Sequence, residues 1–156
     1  MDHINKYLSR SVDLAMDGMK NGGGPFGAVI TMNDEIISEA FNRVVPDNDP
    51  TAHAEILAIR RAAAKLKNHD LTGCTIYSSC EPCPMCLSAI YWSGIKTVYY
   101  SLSREDAAKA GFNDKFIYDE LALDPSSRKI SLIHLGQPAG AEIFKTWENL
   151  ENKIAY

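Results

Sequence analysis

The sequence lacks three features that would place it at a membrane or on a nucleic acid. None of its apolar runs approaches the roughly 18 residues that a membrane span needs. Its opening residues, MDHINKYLSR, lack the basic-then-apolar order of a secretory signal. Positive charge is not clustered either: 16 Lys and Arg stand against 20 Asp and Glu, the formal net charge is −4, and the longest basic run is Arg60-Arg61. Phosphate backbones are bound by clustered Lys and Arg, so we expect a cytoplasmic protein with no membrane contact and no nucleic acid partner.

Cysteine is also scarce. The four cysteines are Cys74, Cys80, Cys83 and Cys86, and the last three fall within seven residues. Disulfide frameworks are typical of short secreted chains that cannot bury enough apolar surface. This chain has 46% hydrophobic residues and no sign of secretion. We therefore interpret the cysteine cluster as a site of metal binding or thiol chemistry.

Helical and strand patterns alternate along the chain without an internal repeat. A length of 156 residues fits one domain, so residues 1–156 are predicted to form a single domain. The predicted helices cover residues 1–20, 51–66, 83–93, 104–109, 114–121 and 141–153. The predicted strands cover residues 25–32, 35–42, 74–79, 96–100 and 129–136. This order predicts an α/β domain with one mixed sheet and helices on both of its faces.

The segment RVVPDNDP, between the second strand and the second helix, is predicted as a loop. Asp49 and Pro50 are placed to cap and open the helix that follows.

Two fragments carry residues suited to metal chemistry. His53-Ala54-Glu55 and Pro82-Cys83-Pro84-Met85-Cys86 each fall at the predicted start of a helix. Side chains three apart on a helix face the same way, so Cys83 and Cys86 can hold one ion. The partial positive charge of a helix N-terminus lowers the pKa of a thiol and favours the thiolate that zinc requires. His53 would complete a set of three zinc ligands.

Such a set predicts a hydrolytic site. Zinc with three protein ligands keeps a fourth position for water, whose pKa falls to about 7. Glu55 lies two residues after His53, about 200° around the helix, so it is badly placed as a fellow ligand. It is suited instead to take the proton of the water and pass it to a leaving group. The combination H-x-E with P-C-x-x-C is the signature of the zinc nucleobase deaminases.

Three simpler interpretations compete with this one. Two C-x-x-C spacings, at residues 80–83 and 83–86, follow a strand as a thioredoxin-like redox pair would, but they leave His53 and Glu55 unexplained. Cys80 could be a fourth ligand, which would make a closed structural Cys₃His zinc module without catalysis. His53 could also be an ordinary surface histidine, which its pairing with the cysteine motif disfavours.

At these residues the chain resembles the cytidine-deaminase-like zinc hydrolases, and within them the bacterial guanine deaminases. The resemblance covers nearly the whole chain. It is carried by GGPFGAVI, Asn42, NDPTAHAEILAIR, SCEPCPMCLSAIYW, AGFNDKFIYDEL and the terminal Tyr156. It implies a three-layer α/β/α fold with a five-stranded mixed sheet, a zinc ion on His53, Cys83 and Cys86, Glu55 as catalytic proton shuttle, and Cys80 outside the ligand set.

The resemblance also implies a substrate and an assembly. It implies conversion of the small purine guanine to xanthine and ammonia, with Asn42, Phe26 and Asp114 around the base. Members form homodimers in which the C-terminal segment, here about residues 137–156, can cross to the partner, so that Tyr156 would help to close the pocket.

The chemistry of Asp114 agrees with guanine if this side chain faces the base. Guanine presents two adjacent donors, N1–H and the exocyclic N2 amine, and one carboxylate can accept both. Adenine presents an acceptor beside its amine and would be mismatched. Asn42 can hold O6 or N7 of a purine, and Phe26 is either a ring-packing residue or plain core. A tRNA adenosine deaminase, with the same core motifs, is the nearest rival; guanosine, cytosine and a triazine amine stay open as small substrates.

Overall fold

The first element is the amphipathic helix that the sequence predicts. In the computed structural model, which describes residues 2–155, helix α1 covers Asp2–Lys20. Its buried side chains recur at helical spacing and face the sheet: Tyr7, Ser11, Leu14, Ala15 and Gly18. The glycine-rich segment after Lys20 ends the helix because glycine disfavours helical backbone.

A β-hairpin follows, as predicted. Strands β1 (Gly27–Met32) and β2 (Glu35–Phe41) pair antiparallel. Asn33 and Asp34 join them, both with positive φ, at 50° and 62°. Two such residues form the type I′ turn, whose twist matches that of the flanking strands, and Asn and Asp tolerate this backbone better than most residues.

The remaining strands complete a mixed sheet. Strand β3 (Cys74–Cys80) pairs antiparallel with β1, and β4 (Thr97–Leu102) pairs parallel with β3. The strand order is β2-β1-β3-β4. A parallel pair needs a crossover, which here includes helix α4 (Pro84–Trp92). Gly94 follows this helix with a φ of 77°, a backbone conformation that favours glycine.

Helices cover both faces of this sheet. On one face α1 packs through Tyr7 and Leu14 against Val29 and Tyr77. On the other, helix α3 (Ala54–Leu66) packs against β1, β2 and β3. Three fully buried alanines, at residues 54, 58 and 62, form one stripe of α3 and allow it to approach the sheet closely. The three-layer α/β/α prediction is therefore confirmed in this part of the chain.

The second helix begins later than predicted. Residues 44–47 form a short helix, α2 (Val44–Asp47), inside the predicted loop. Asp49 does not cap α3: its carboxylate accepts hydrogen bonds from the backbone and hydroxyl of Thr51, at 2.8 and 2.7 Å. This local turn leaves residues 51–53 outside the helix, which starts only at Ala54.

Residues 117–156 form a compact unit of their own, distinct from the unit of residues 1–116. Helix α5 (Arg104–Lys109) belongs to the first unit, and α6 (Lys115–Ala122) contains the boundary. A 3₁₀ turn (Pro125–Ser127) and helix α7 (Gly140–Glu148) follow. Helix α7 is shorter than the predicted helix over 141–153. The single-domain prediction for residues 1–156 stays a prediction.

The prediction of a strand at residues 129–136 is wrong for the single chain. The described residues contain four strands, not five, and residues 131–137 have no regular structure. Alternating apolar residues identify a segment that can form a strand, but a strand exists only when a neighbour accepts its backbone hydrogen bonds. Between residues 2 and 155, no helix has the length and apolarity to cross a membrane.

Candidate metal centre and active site

Two helix N-termini meet at the carboxyl end of β3. His53 is the N-cap of α3 and Cys83 is the N-cap of α4, both with extended backbone. An N-cap side chain usually bonds to the first turn of its own helix, but neither of these does. Both are thus available to a common ligand. Cys86 lies in the first turn of α4 and is fully buried.

The three donor atoms have the spacing of a zinc site. The His53 Nδ1 lies 3.5 Å from the Sγ of Cys83 and 3.5 Å from the Sγ of Cys86. All three ligand atoms lie within 4.8 Å of one another. Zinc–nitrogen bonds of about 2.0–2.1 Å and zinc–sulfur bonds of about 2.3 Å, at a tetrahedral angle, give a nitrogen-to-sulfur distance of about 3.6 Å. The residues therefore fit a tetrahedral zinc ion that keeps one further position.

The electrostatics of the group favour a thiolate. Hydrogen bonds from Cys86 and from His53 lower the pKa of Cys83 to about 4, although burial opposes the shift. The hydrogen bond to Cys83 raises the pKa of His53. The hydrogen bond between Cys86 and Cys83, and then burial, raise the pKa of Cys86. These shifts favour a thiolate at Cys83, and a zinc ion would release the proton of Cys86.

Cys80 is not part of this group. Its thiol is buried and donates to the backbone carbonyl of Ser103 at 3.5 Å. Burial raises the pKa of Cys80 to about 11, so it is a protonated thiol at neutral pH. The metal-binding group of the described residues contains His53, Cys83 and Cys86 without it. This geometry argues against the closed Cys₃His module.

Glu55 lies beside the ligands in the first turn of α3. Its side chain is only 5% exposed, and burial raises the pKa of its carboxyl. One carboxylate oxygen accepts from the hydroxyl of Ser78 at 3.3 Å, and the other lies 3.5 Å from the Sγ of Cys86. A carboxyl group with a raised pKa, held next to a metal site, is suited to exchange protons at neutral pH.

Asn42 is buried directly after strand β2, and the two polar atoms of its side chain differ in their hydrogen bonding. Its Oδ1 accepts from the backbone N–H of Gly24 at 3.3 Å and of Val44 at 3.2 Å. No acceptor among residues 2–155 bonds to its Nδ2, which is left as a donor. The backbone of Arg43 donates to the carbonyl of Ala52 at 2.9 Å, which ties this segment to the residue before His53.

A glycine allows this arrangement. A Cβ on Gly23 would lie 2.1 Å from the backbone carbonyl oxygen of Asn42, closer than real contacts allow. Any other residue at position 23 would displace Asn42.

Phe26 and Asp114 both lie near the residues described above. The carbonyl of Phe26 accepts from the backbone of Asn42 at 2.9 Å. Its half-buried ring meets Phe112 edge to face, with centroids 4.9 Å apart. Asp114 follows two residues later and is close enough to the metal group for its charge to raise the pKa of His53. Burial, then the charge of Cys83, raises the pKa of Asp114. Tyr156 lies outside the described residues.

Sequence reasoning missed Ser78, which positions Glu55. Ser78 and Ser79 are both almost fully buried at the end of β3, and the Ser79 hydroxyl accepts from the backbone of Gly27 at 3.0 Å. Adjacent serines in a buried strand must find polar partners on both faces of the sheet, and this was the available signal.

With this geometry in place, comparison with known proteins is informative. The family model for the "Cytidine and deoxycytidylate deaminase zinc-binding region" matches residues 1–102. The guanine deaminase of Bacillus subtilis (strain 168) is 46% identical over 157 residues, which cover 100% of both proteins. An X-ray structure of guanine deaminase from Bacillus subtilis matches with a TM-score of 0.94 over 97% of this chain and 98% of that one.

A second kind of relative matches a smaller part of the chain. The tRNA-specific adenosine deaminase of Buchnera aphidicola subsp. Schizaphis graminum (strain Sg) is 41% identical over 109 residues, which cover 70% of this chain and 72% of that protein. The matched residues of the family model include His53, Glu55, Cys83 and Cys86. The chain therefore belongs to the zinc-binding cytidine and deoxycytidylate deaminase family.

Proposed function

We propose that this protein is a zinc-dependent guanine deaminase, which converts guanine and water to xanthine and ammonia. The observation that carries the proposal is the similarity to guanine deaminase over the full length of the chain, including the C-terminal third. The tRNA-specific adenosine deaminases match a smaller share of this chain, so they agree with the metal site but not with the rest.

In this proposal His53, Cys83 and Cys86 hold the metal. A zinc ion bound there lowers the pKa of a water molecule and makes a nucleophile available at neutral pH. His53 and Cys83 are half-buried, so a small substrate can reach the metal group on their side. Cys86 is buried and holds the ion from within the protein.

Glu55 moves the protons. The oxygen of water adds to C2 of guanine, and the bond from C2 to the exocyclic amine breaks. Glu55 takes one proton from the attacking water and delivers it to the ring nitrogen beside C2. It then takes the remaining proton from the hydroxyl on C2 and passes it to the departing amine, which leaves as ammonia while C2 becomes a carbonyl. Burial raises the pKa of this carboxyl, so it takes up a proton more readily than an exposed carboxylate, and Ser78 holds one of its oxygens in place.

Asn42 and Asp114 select the base. Gly24 and Val44 occupy the oxygen of the Asn42 amide, so Nδ2 is the atom that meets the substrate, and it matches an acceptor such as O6 or N7. Asp114 accepts from N1–H and the N2 amine of guanine. The ring of Phe26, supported edge-on by Phe112, packs against the base.

The test is a substrate panel with zinc analysis. Ammonia release is measured from guanine, guanosine, adenine, cytosine and a tRNA, alongside zinc content per chain. We expect one zinc per chain and fastest release from guanine. Faster deamination of the tRNA, or of adenine or cytosine, would overturn the substrate, and absence of bound metal would overturn the mechanism. The Glu55→Gln variant supplies the background rate.

We further propose a homodimer in which residues 129–136 add a fifth strand to the β4 edge of a second copy. Ile130, Leu132, Ile133 and Leu135 are all at least 64% exposed. The two edges of the sheet also differ: Arg61 and Lys65 donate to backbone carbonyls of β2, at 2.6 and 3.3 Å, and thus obstruct that edge. In this dimer, residues 137–156 are exchanged between the two copies, and Tyr156 contributes to the pocket of the partner. We also propose that the protein is cytoplasmic.

A further inference from the structure

Four contacts join the loop that leads to Cys83 to the end of β4 and the start of α5. The backbone N–H of Glu81 donates to the carbonyl of Leu102 at 2.8 Å, and the thiol of Cys80 donates to the carbonyl of Ser103. The Glu81 carboxylate accepts from the backbone N–H of Arg104 at 3.2 Å and pairs with its guanidinium at 2.9 Å. The side chains of Glu81 and Arg104 are 19% and 39% exposed, so solvent screens this ion pair only in part.

The helix that starts at this point is closed at both ends. Ser103 and Asp106 form a reciprocal capping box at its N-terminus. At its C-terminus, Phe112 and Gly111 donate to the carbonyls of Ala107 and Ala108, at 2.9 and 3.0 Å, and Gly111 has a φ of 96°. This is a Schellman motif, which directs the chain sharply out of the helix. We refer to this six-residue helix, which is capped at both ends, as the strut.

The far end of the strut reaches the substrate region. Phe112, directly after the motif, packs edge to face on Phe26, and Asp114 comes two residues later. Arg104 is also close enough to Asp114 for its positive charge to favour the ionised carboxylate. The strut therefore connects Glu81, in the loop that leads to Cys83, to Asp114, which we expect to bind the base.

We propose that Glu81 and Arg104 are positioning residues that set the place of Asp114 relative to the metal ligands. The inference rests on the proposed function, because it assumes that Asp114 binds the substrate. Glu81 and Arg104 touch neither substrate nor metal in this proposal. They act through residues 104–114, so loosening the ion pair weakens recognition of guanine without emptying the metal site.

The experiment is a double-mutant cycle between Glu81→Gln and Asp114→Asn. Glu81→Gln keeps the size of the side chain and removes its charge. We expect this variant to retain one zinc per chain and to lose about 10-fold in kcat/KM for guanine, because small displacements of a binding group cost up to about 100-fold. In the Asp114→Asn background, Glu81→Gln should cause no further loss, because its effect passes through the Asp114 carboxylate.

Glu39→Gln is the matched control. Glu39 forms a similar bidentate pair with Arg10, at 2.7 and 3.0 Å, away from the metal group. The control should leave kcat/KM for guanine unchanged. If Glu81→Gln folds poorly, Arg104→Lys keeps the charge, removes the guanidinium that contacts the Glu81 carboxylate, and provides the same comparison.

The outcomes separate the two proposals. Equal losses from Glu81→Gln in both backgrounds, or loss of zinc from the single variant, would overturn the positioning role and leave the proposed function intact. Unchanged kinetics in Asp114→Asn would remove Asp114 from the site and overturn both its substrate role and the inference built on it.

Discussion

Glu55 illustrates how a single residue is prepared for proton transfer. A carboxylate with 5% exposure would be costly to bury without partners, and here it has the Ser78 hydroxyl and the thiol of Cys86. The same burial that raises its pKa holds the carboxyl at the metal group. This environment suits the proton transfer that we propose for Glu55.

Glu55→Gln should separate metal binding from turnover. Gln keeps the shape and one acceptor for Ser78 but cannot accept and return a proton. We expect one zinc per chain by metal analysis and a loss in kcat of at least about 10²–10⁴-fold. Near-normal ammonia release from the variant would exclude Glu55 as the proton shuttle.

Asn42→Asp tests the donor role of the side-chain amide. Asp keeps an oxygen for the N–H groups of Gly24 and Val44, so the fold should be preserved, but it loses the Nδ2 donor. We expect a loss in kcat/KM for guanine of about 5- to 150-fold, which corresponds to about 1–3 kcal/mol. Asn42→Ala, which also removes the shared oxygen, should lower thermal stability as well. Unaltered kinetics in Asn42→Asp would contradict the role.

Cys80→Ser should leave the metal site intact. The thiol of Cys80 bonds to Ser103, and its pKa of about 11 keeps it protonated. A hydroxyl can make the same hydrogen bond. Metal analysis should give one zinc per chain, whereas Cys83→Ser, as the comparison, should lose zinc. Loss of zinc from Cys80→Ser would instead support a closed structural site.

Sequence reasoning recovered residues with a characteristic spacing and missed those that act through space. The pattern at residues 53–55 and 82–86 predicted the group that the structure brings together, because zinc ligands must be specific residue types at restricted separations. Ser78 and Arg104 belong to no such pattern. Each contributes a common hydrogen bond whose meaning depends on which residue the fold places opposite it.

At the scale of elements, Arg10 on α1 and Glu39 on β2 connect two layers. The hydrogen bond from Arg10 lowers the pKa of Glu39 below its ordinary value of 4.5. A carboxyl whose pKa is lower in the folded state stabilises the fold above pH 4.5 and loses this contribution as the pH falls through the folded pKa. The Arg10 and Glu39 side chains are 40% and 28% exposed, so solvent weakens the pair.

Glu39→Gln should accordingly destabilise the protein in a pH-dependent way. We expect the free energy of unfolding in urea to fall by at most about 1 kcal/mol at pH 7, and the difference from the parent to shrink toward zero as the pH falls below the folded-state pKa of Glu39. A difference that is constant with pH would show that the charge of Glu39 does not contribute.

Element boundaries were harder to predict than element types. Helix α3 begins three residues later than the pattern indicated because Asp49 bonds to Thr51 instead of capping the helix. That displacement has a functional consequence: it makes His53 an extended N-cap residue whose imidazole is directed to Cys83 and Cys86. Local side-chain bonds compete with helix formation, and periodicity does not register them.

At the scale of the whole molecule, the proposed dimer has a direct test. Sedimentation equilibrium should give twice the mass of the chain. Leu132→Asp places a charge in the proposed strand and should shift the equilibrium toward monomer. Met16→Asp, at a residue of α1 that is 52% exposed, is the control and should not. A monomer at micromolar concentration, or equal effects of the two variants, would contradict the added strand.

By itself, the sequence determined the types of the elements in residues 1–116, apart from the short helix α2, and the identity of the metal group, because hydrophobic periodicity and ligand spacing are written along the chain. It also identified residues 129–136 as capable of forming a strand. Only the tertiary structure decided that Cys80 bonds to a carbonyl and that Asn42 presents its amide nitrogen. It also showed that residues 129–136 lack a strand neighbour within residues 2–155. Each of these properties depends on which group the fold places next to the residue, and that group comes from a distant part of the chain.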